Sequence, residues 1–173
     1  PIDSDKDYVY RIKAVKGGSD YYSNEKTVLA LYCPPFLYPL GWKCEVDGPR
    51  IILSWSSVSG NLSIYEIYRD GVKIDQTSSI NFIDGPNIEG TKTYNYFIRA
   101  VWQNGNSTTS QVASVKAPAC PPTVTATTDC NSAAPGGPKV NLSWNSLLGV
   151  QYYQIHRKAQ TEADFSLLEP FLT

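Results

Sequence analysis

The sequence predicts an all-β chain built on an internal repeat, and three observations carry that expectation. Short β-branched and aromatic runs are punctuated by turn formers, with 12 Gly, 12 Pro and 12 Tyr among 173 residues, a composition that favours strands. Apolar residues alternate with period two, as a half-buried strand requires. The same landmarks also recur: Cys-Pro-Pro begins at residues 33 and 120, 87 residues apart; "ILSWSSV" around Trp55 returns as "NLSWNSL" around Trp144, 89 apart; "YVYRIKAV" from residue 8 returns as "YNYFIRAV" from residue 94, 86 apart. A period near 87 residues describes an array of whole folding units and decides the architecture before any local reading.

The strands follow in order. In the first unit Tyr8, Tyr10, Ile12 and Ala14 share a face. In "RIILSWSSV" the shared face is Ile51, Leu53 and Trp55, and in "KVNLSWNSL" it is Val140, Leu142 and Trp144, which turns Asn141 and Ser143 outward. "IYEIYRDGVKI" holds Asp70-Gly71 between two alternating runs, a two-residue hairpin signal because both central positions need positive φ; Tyr65 and Ile67 are its inward pair. "TYNYFIRAVW" places Tyr94, Tyr96, Ile98 and Ala100 on one face. In the last unit "KAQTEADFSLLEP" replaces the tight hairpin with a longer connection.

Together these residues resemble the fibronectin type III domain. The pattern is a Pro-rich start, a core Trp on the second strand, a Tyr-x-Ile-Tyr-Arg third strand and a Tyr-x-Tyr-x-Ile-x-Ala-Val sixth strand before a Gly/Ser/Asn hairpin. The middle unit has all of it, and the resemblance extends over essentially the whole chain. It implies tandem immunoglobulin-like β-sandwiches of seven strands, one complete and two partial. Residues 1–32 would hold the last strands of a first unit, 33–117 a complete domain and 118–173 the first strands of a third. The resemblance further implies core roles for Trp55 and Trp144, and a "tyrosine corner" at Tyr94 and Tyr8, with the ring inside and the hydroxyl returning to backbone.

Four cysteines permit three connectivities. Repeat symmetry selects Cys33 with Cys44 and Cys120 with Cys130, each pair bracketing the first strand of its own unit. Closing such a loop restricts the unfolded chain by roughly 2.5–3 kcal/mol. That edge strand carries Pro34 and Pro35, or Pro121 and Pro122, which donate no ladder hydrogen bonds. The Pro-Pro steps also favour stiff, extended junctions and a semi-rigid rod. Structural zinc needs four convergent ligands, which one histidine and no Cys-x-x-Cys do not supply. Disulfides place the chain outside a reducing cytosol, secreted or at the cell surface.

A net charge of -1 and a pI near 5.8 argue against nucleic acid or an anionic membrane as partner. No apolar run reaches the roughly 18–20 residues of a membrane helix, so no insertion is expected of this segment. Residue 1 is Pro, methionine is absent, and no basic-then-apolar leader opens the chain, which reads as an internal segment.

No catalytic residue, cofactor or metal is expected. His156 lies on a strand with no nucleophile-bearing turn in the sequence to serve. Asp3, Asp5 and Asp7 have calcium-like spacing, but Tyr8 stands where an EF-hand loop needs Gly. Arg69-Asp70-Gly71 is a turn, not an integrin motif. Asn61, Asn106 and Asn141 head Asn-x-Ser/Thr sequons in predicted loops or at an outward position. Tyr21, Tyr22 and Trp102 lie near hairpins, where they either contact a sugar or neighbouring domain or pack on their own sheet.

The functional expectation is a non-catalytic extracellular structural or adhesive repeat protein, a spacer or fibre. Its partners would be neighbouring fibronectin type III units of the same or identical chains, with a cell-surface protein or polysaccharide as a further candidate. Two alternatives stay open: accessory spacer modules of a secreted carbohydrate-active enzyme, and a receptor-type module with a ligand site on its hairpin tips. The partial end units read most simply as an excerpt from a longer array. The other reading has neighbouring molecules completing each other head to tail, because the two pieces together lack about one strand.

Overall fold

A computed structural model describes residues 6–129 and 138–172. Among these the chain is all-β, with several antiparallel sheets that fit a β-sandwich. The strands are β1 (Asp7–Tyr10), β2 (Lys13–Lys16), β3 (Ser19–Tyr22), β4 (Lys26–Leu29), β5 (Gly41–Glu45), β6 (Gly48–Ser54), β7 (Leu62–Arg69), β8 (Val72–Thr77), β9 (Asn81–Asp84), β10 (Thr93–Trp102), β11 (Ser107–Thr109), β12 (Ala113–Lys116), β13 (Val124–Asp129), β14 (Lys139–Trp144), β15 (Tyr153–Arg157) and β16 (Ser166–Leu172). No helix among the described residues is long and apolar enough to cross a membrane. The chain forms two compact units: Pro1–Gly41 with Ile52–Ile83 and Thr93–Val115, and Trp42–Ile51 with Asp84–Lys92 and Lys116–Thr173.

The first unit is centred on a sheet of order β11-β10-β7-β8, with β12 also on β10. Alternation along β10 buries Tyr94, Tyr96, Ile98, Ala100 and Trp102, and Leu37, Leu53, Trp55, Tyr65 and Ile67 complete the core. The Trp55 and Tyr65 rings meet edge to face at 5.5 Å, the arrangement that aligns a ring's positive edge with its neighbour's negative face. Asp70 (φ 49) and Gly71 (φ 81) both take positive φ, as a two-residue hairpin demands. Asp70 Oδ1 also accepts the Asn95 N–H at 2.9 Å, which ties the turn to β10. The β1·β4 and β2·β3 pairs form separate two-stranded ribbons in this unit.

On the outer face of β7, Glu66 accepts hydrogen bonds from Lys73 Nζ (2.7 Å) and the Tyr68 hydroxyl (3.1 Å). The Lys73 ammonium holds the Glu66 carboxyl below its ordinary value of 4.5, against the opposing effect of partial burial, with Tyr68 and Arg99 helping. Folded Glu66 therefore takes up its proton at lower pH than the unfolded chain does. Its contribution is complete above about pH 4.5 and is lost as pH falls through the folded value. Glu66→Gln is expected to cost about 1 kcal/mol at neutral pH and to weaken the acid-side decline, as urea unfolding at pH 7 and pH 3 would show.

The second unit contains the hairpin-like pairs β13·β14 and β15·β16. It also holds the one disulfide of the described residues, Cys44–Cys120, with a Cα–Cα distance of 5.6 Å. This corrects the pairing expected from repeat symmetry. Cys33 is a free, exposed thiol. Beyond it, Ser56 N–H donates to Phe36 O and Tyr38 N–H donates to Ser54 O around the Leu37–Trp55 β-bridge, and β5 follows. A sulfur makes one disulfide bond, so Cys44, bonded to Cys120, has none to offer Cys33. Cys120 is taken by Cys44, so a Cys120–Cys130 bridge is excluded; Cys130 itself lies outside the described residues.

Candidate functional site

The bridge sits where the chain leaves one repeat and starts the next. Just before Cys120, Ala117 N–H donates to Lys92 O (2.9 Å) and Ala117 O accepts from Thr91 N–H (3.0 Å), a reciprocal pair that aligns the two segments. Gly90 lies against Pro118, where an added Cβ would come within 3.1 Å of the Pro118 carbonyl oxygen. Arg50, largely shielded, reaches Asp47 at 2.5 Å and Glu45 at 3.4 Å. Its hydrogen bond holds the Asp47 carboxyl below the usual carboxylate range. A cavity of about 230 Å³ beside the bridge is lined by Pro49, Cys120, Leu147, Leu148 and Val150 among others. The arrangement is a covalent link backed by backbone pairing.

Hydrogen bonds recur at the repeat spacing. Val58 N–H donates to the Tyr65 hydroxyl at 3.1 Å, and Leu147 N–H donates to the Tyr153 hydroxyl at 2.8 Å. Phe36 N–H is accepted by Ser56 Oγ, and Thr123 N–H by Asn145 Oδ1. Ile12 N–H and Ile98 N–H are each accepted by a serine hydroxyl, Ser23 and Ser110, both at 2.9 Å. Trp144 and Tyr153 repeat the Trp55 and Tyr65 ring contact at 5.7 Å. Tyr65→Phe, which strands the Val58 N–H, is expected to cost about 1–2 kcal/mol in thermal or urea unfolding, with ring packing unchanged.

Packing does not recur with the hydrogen bonds. Leu53 is 0% exposed, but Leu142, its counterpart, is 39% exposed; Ile98 is 0% exposed and its counterpart Ile12 is 71%. In the second unit this leaves an open apolar groove of about 310 Å³, lined by Pro122, Val124, Leu142, Trp144, Tyr153 and Ile155, with Gln154 and His156 beside them.

The remaining sequence candidates stay dispersed. Asn61, Asn106 and Asn141 are all exposed, so each sequon is sterically open. His156 is an exposed residue of β15. Asp7 begins β1, whereas Asp3 and Asp5 lie outside the described residues. Among the described residues no group of three or more His, Cys, Asp or Glu is placed to hold a metal ion. Tyr21 and Tyr22 are exposed, with the Arg11 guanidinium 4.4 Å from the Tyr22 ring centre. Trp102 is buried instead, its indole N–H donating to Ser59 O at 2.9 Å and its ring 4.6 Å from that of Tyr32. The Tyr94 ring is buried and Tyr8 is half-buried. Tyr65 and Tyr153 make the hydroxyl-to-backbone bonds described above; Tyr65 was legible only as an inward residue, and the 88-residue spacing of the two was the available signal. No family model matches the chain, and no curated protein or solved structure resembles it significantly.

Proposed function

We propose that this chain is a non-catalytic, load-bearing spacer working outside the cell, built of fibronectin type III-like sandwich repeats that adjoin further repeats of the same kind. The observation that carries this reading is the Cys44–Cys120 bridge, whose ends are 76 residues apart in sequence. Tension arriving along the chain at Cys44 crosses two sulfur atoms and continues from Cys120. Residues 45–119, which contain β6 to β12, are spared. A covalent bond replaces a ladder of hydrogen bonds in the load path, and a disulfide persists in an oxidising compartment.

Single-molecule stretching with and without reductant tests the proposal. At about 3.3–3.6 Å per extended residue, opening the bridge frees roughly 25–27 nm of hidden chain. The oxidised chain is expected to lack that extension and the reduced chain to gain it. Equal extension in both states would mean that load passes through the sandwich, and the reading fails.

A further inference from the structure

We infer that Cys33 makes, one repeat earlier, the bond that Cys120 makes: its partner is the cysteine of an adjoining fibronectin type III-like repeat that stands where Cys44 stands in the middle one. Cys33 and Cys120 each open a Cys-Pro-Pro triplet, 87 residues apart. Cys120 is bonded to Cys44, which lies in the repeat before its own. Equivalent positions of stacked repeats meet equivalent neighbours across each boundary, so the same connection takes Cys33 to the repeat before the middle one. The inference rests on the proposed function in one respect, that a repeat of the same kind adjoins the middle one on that side.

The backbone around the two cysteines supports the equivalence. Three residues before each, an alanine N–H donates to a lysine carbonyl oxygen: Ala30 to Lys6 at 3.0 Å and Ala117 to Lys92 at 2.9 Å. Those lysines are themselves 86 residues apart. Three residues after each, a backbone N–H donates to a side-chain oxygen, Phe36 to Ser56 Oγ and Thr123 to Asn145 Oδ1. Both sulfurs are therefore held between the same two anchors, where one repeat ends and the next begins. The Cys33 thiol is exposed. Cys44 is already bonded and no cysteine precedes Cys33 among residues 1–173, so in the 173-residue chain alone Cys33 keeps its thiol. The bond forms by exchange with a donor disulfide: one cysteine thiolate attacks a donor sulfur, the second displaces the donor from the mixed disulfide, and the donor leaves as a dithiol with the two electrons and two protons. With a bridge at each end, tension enters the middle repeat at Cys33 and leaves it at Cys44. Only residues 33–44 of that repeat then lie in the load path.

The test is a peptide map of the full-length protein, with free thiols alkylated first and no reductant added. Trypsin cuts after Lys26 and Lys43, which leaves Cys33 as the one cysteine of the peptide 27–43. That peptide is expected to be joined by a disulfide to a peptide from outside residues 1–173, whose cysteine sits at the position of Cys44 in its own repeat. An alkylated Cys33, a bridge from Cys33 to Cys130, a bridge between the Cys33 residues of two copies, or a partner cysteine elsewhere in its repeat overturns the inference. None of those results touches the Cys44–Cys120 load path, which stands or falls on stretching.

Discussion

Trp55→Ala is expected to destabilise the middle repeat by about 3–5 kcal/mol, whereas Trp144→Ala, at the equivalent position one repeat later, should cost less than about 2 kcal/mol. The two indoles occupy the same strand position and each meets a tyrosine ring, at 5.5 and 5.7 Å. Their surroundings differ. Trp55 is 0% exposed in a closed core, so its removal loses the transfer energy of the ring and leaves a cavity. Trp144 lines an open groove, where water already reaches the neighbouring side chains and no sealed void would result. Because a domain of this size has only about 5–15 kcal/mol of net stability, Trp55→Ala should leave the middle repeat close to unfolding at 37 °C. Urea unfolding followed by far-ultraviolet circular dichroism measures both. Equal costs would mean that the two cores are equally closed.

Cys44→Ser and Cys120→Ser should each cost about 4 kcal/mol under non-reducing conditions, because the loop entropy of a 76-residue closure is larger than that of the short loops repeat symmetry suggests. Cys33→Ser should change stability by less than about 0.5 kcal/mol, as expected of an exposed residue outside the bridge. Reductant should lower the wild-type unfolding midpoint to that of Cys44→Ser. A large effect of Cys33→Ser, or none from reductant, would contradict the assignment.

The contrast between those cysteines marks the border of what the sequence could disclose. Strand faces were legible because they are local: alternation along "TYNYFIRAVW" identifies the residues that β10 buries, and Asp70-Gly71 announces its own turn. Trp102, whose place near a hairpin left contact with a partner and packing on its own sheet both open, continues the alternation of Tyr94, Tyr96, Ile98 and Ala100 and is buried. Disulfide partners are another matter. Cys44 meets Cys120 only because the chain returns after β12 to the neighbourhood of β5, a closure across 76 residues that no spacing rule contains. Repeat symmetry indicates which positions are equivalent and says nothing about which are adjacent. The open faces were hidden for a related reason: Ile12 and Ile98 sit in near-identical sequence, and only the strands packed above them separate 71% exposure from none.

The load-path account rests on one covalent link, and a peptide map without reduction tests it most directly. Free thiols are alkylated first, and the chain is then cut with trypsin and with a protease that cleaves before aspartate, which separates Cys120 from Cys130 at Asp129. The account predicts that the peptide beginning at Cys44 is joined to the one containing Cys120, and that Cys33 carries the alkyl label. A bridge between Cys33 and Cys44, or Cys120 joined to Cys130, would contradict it.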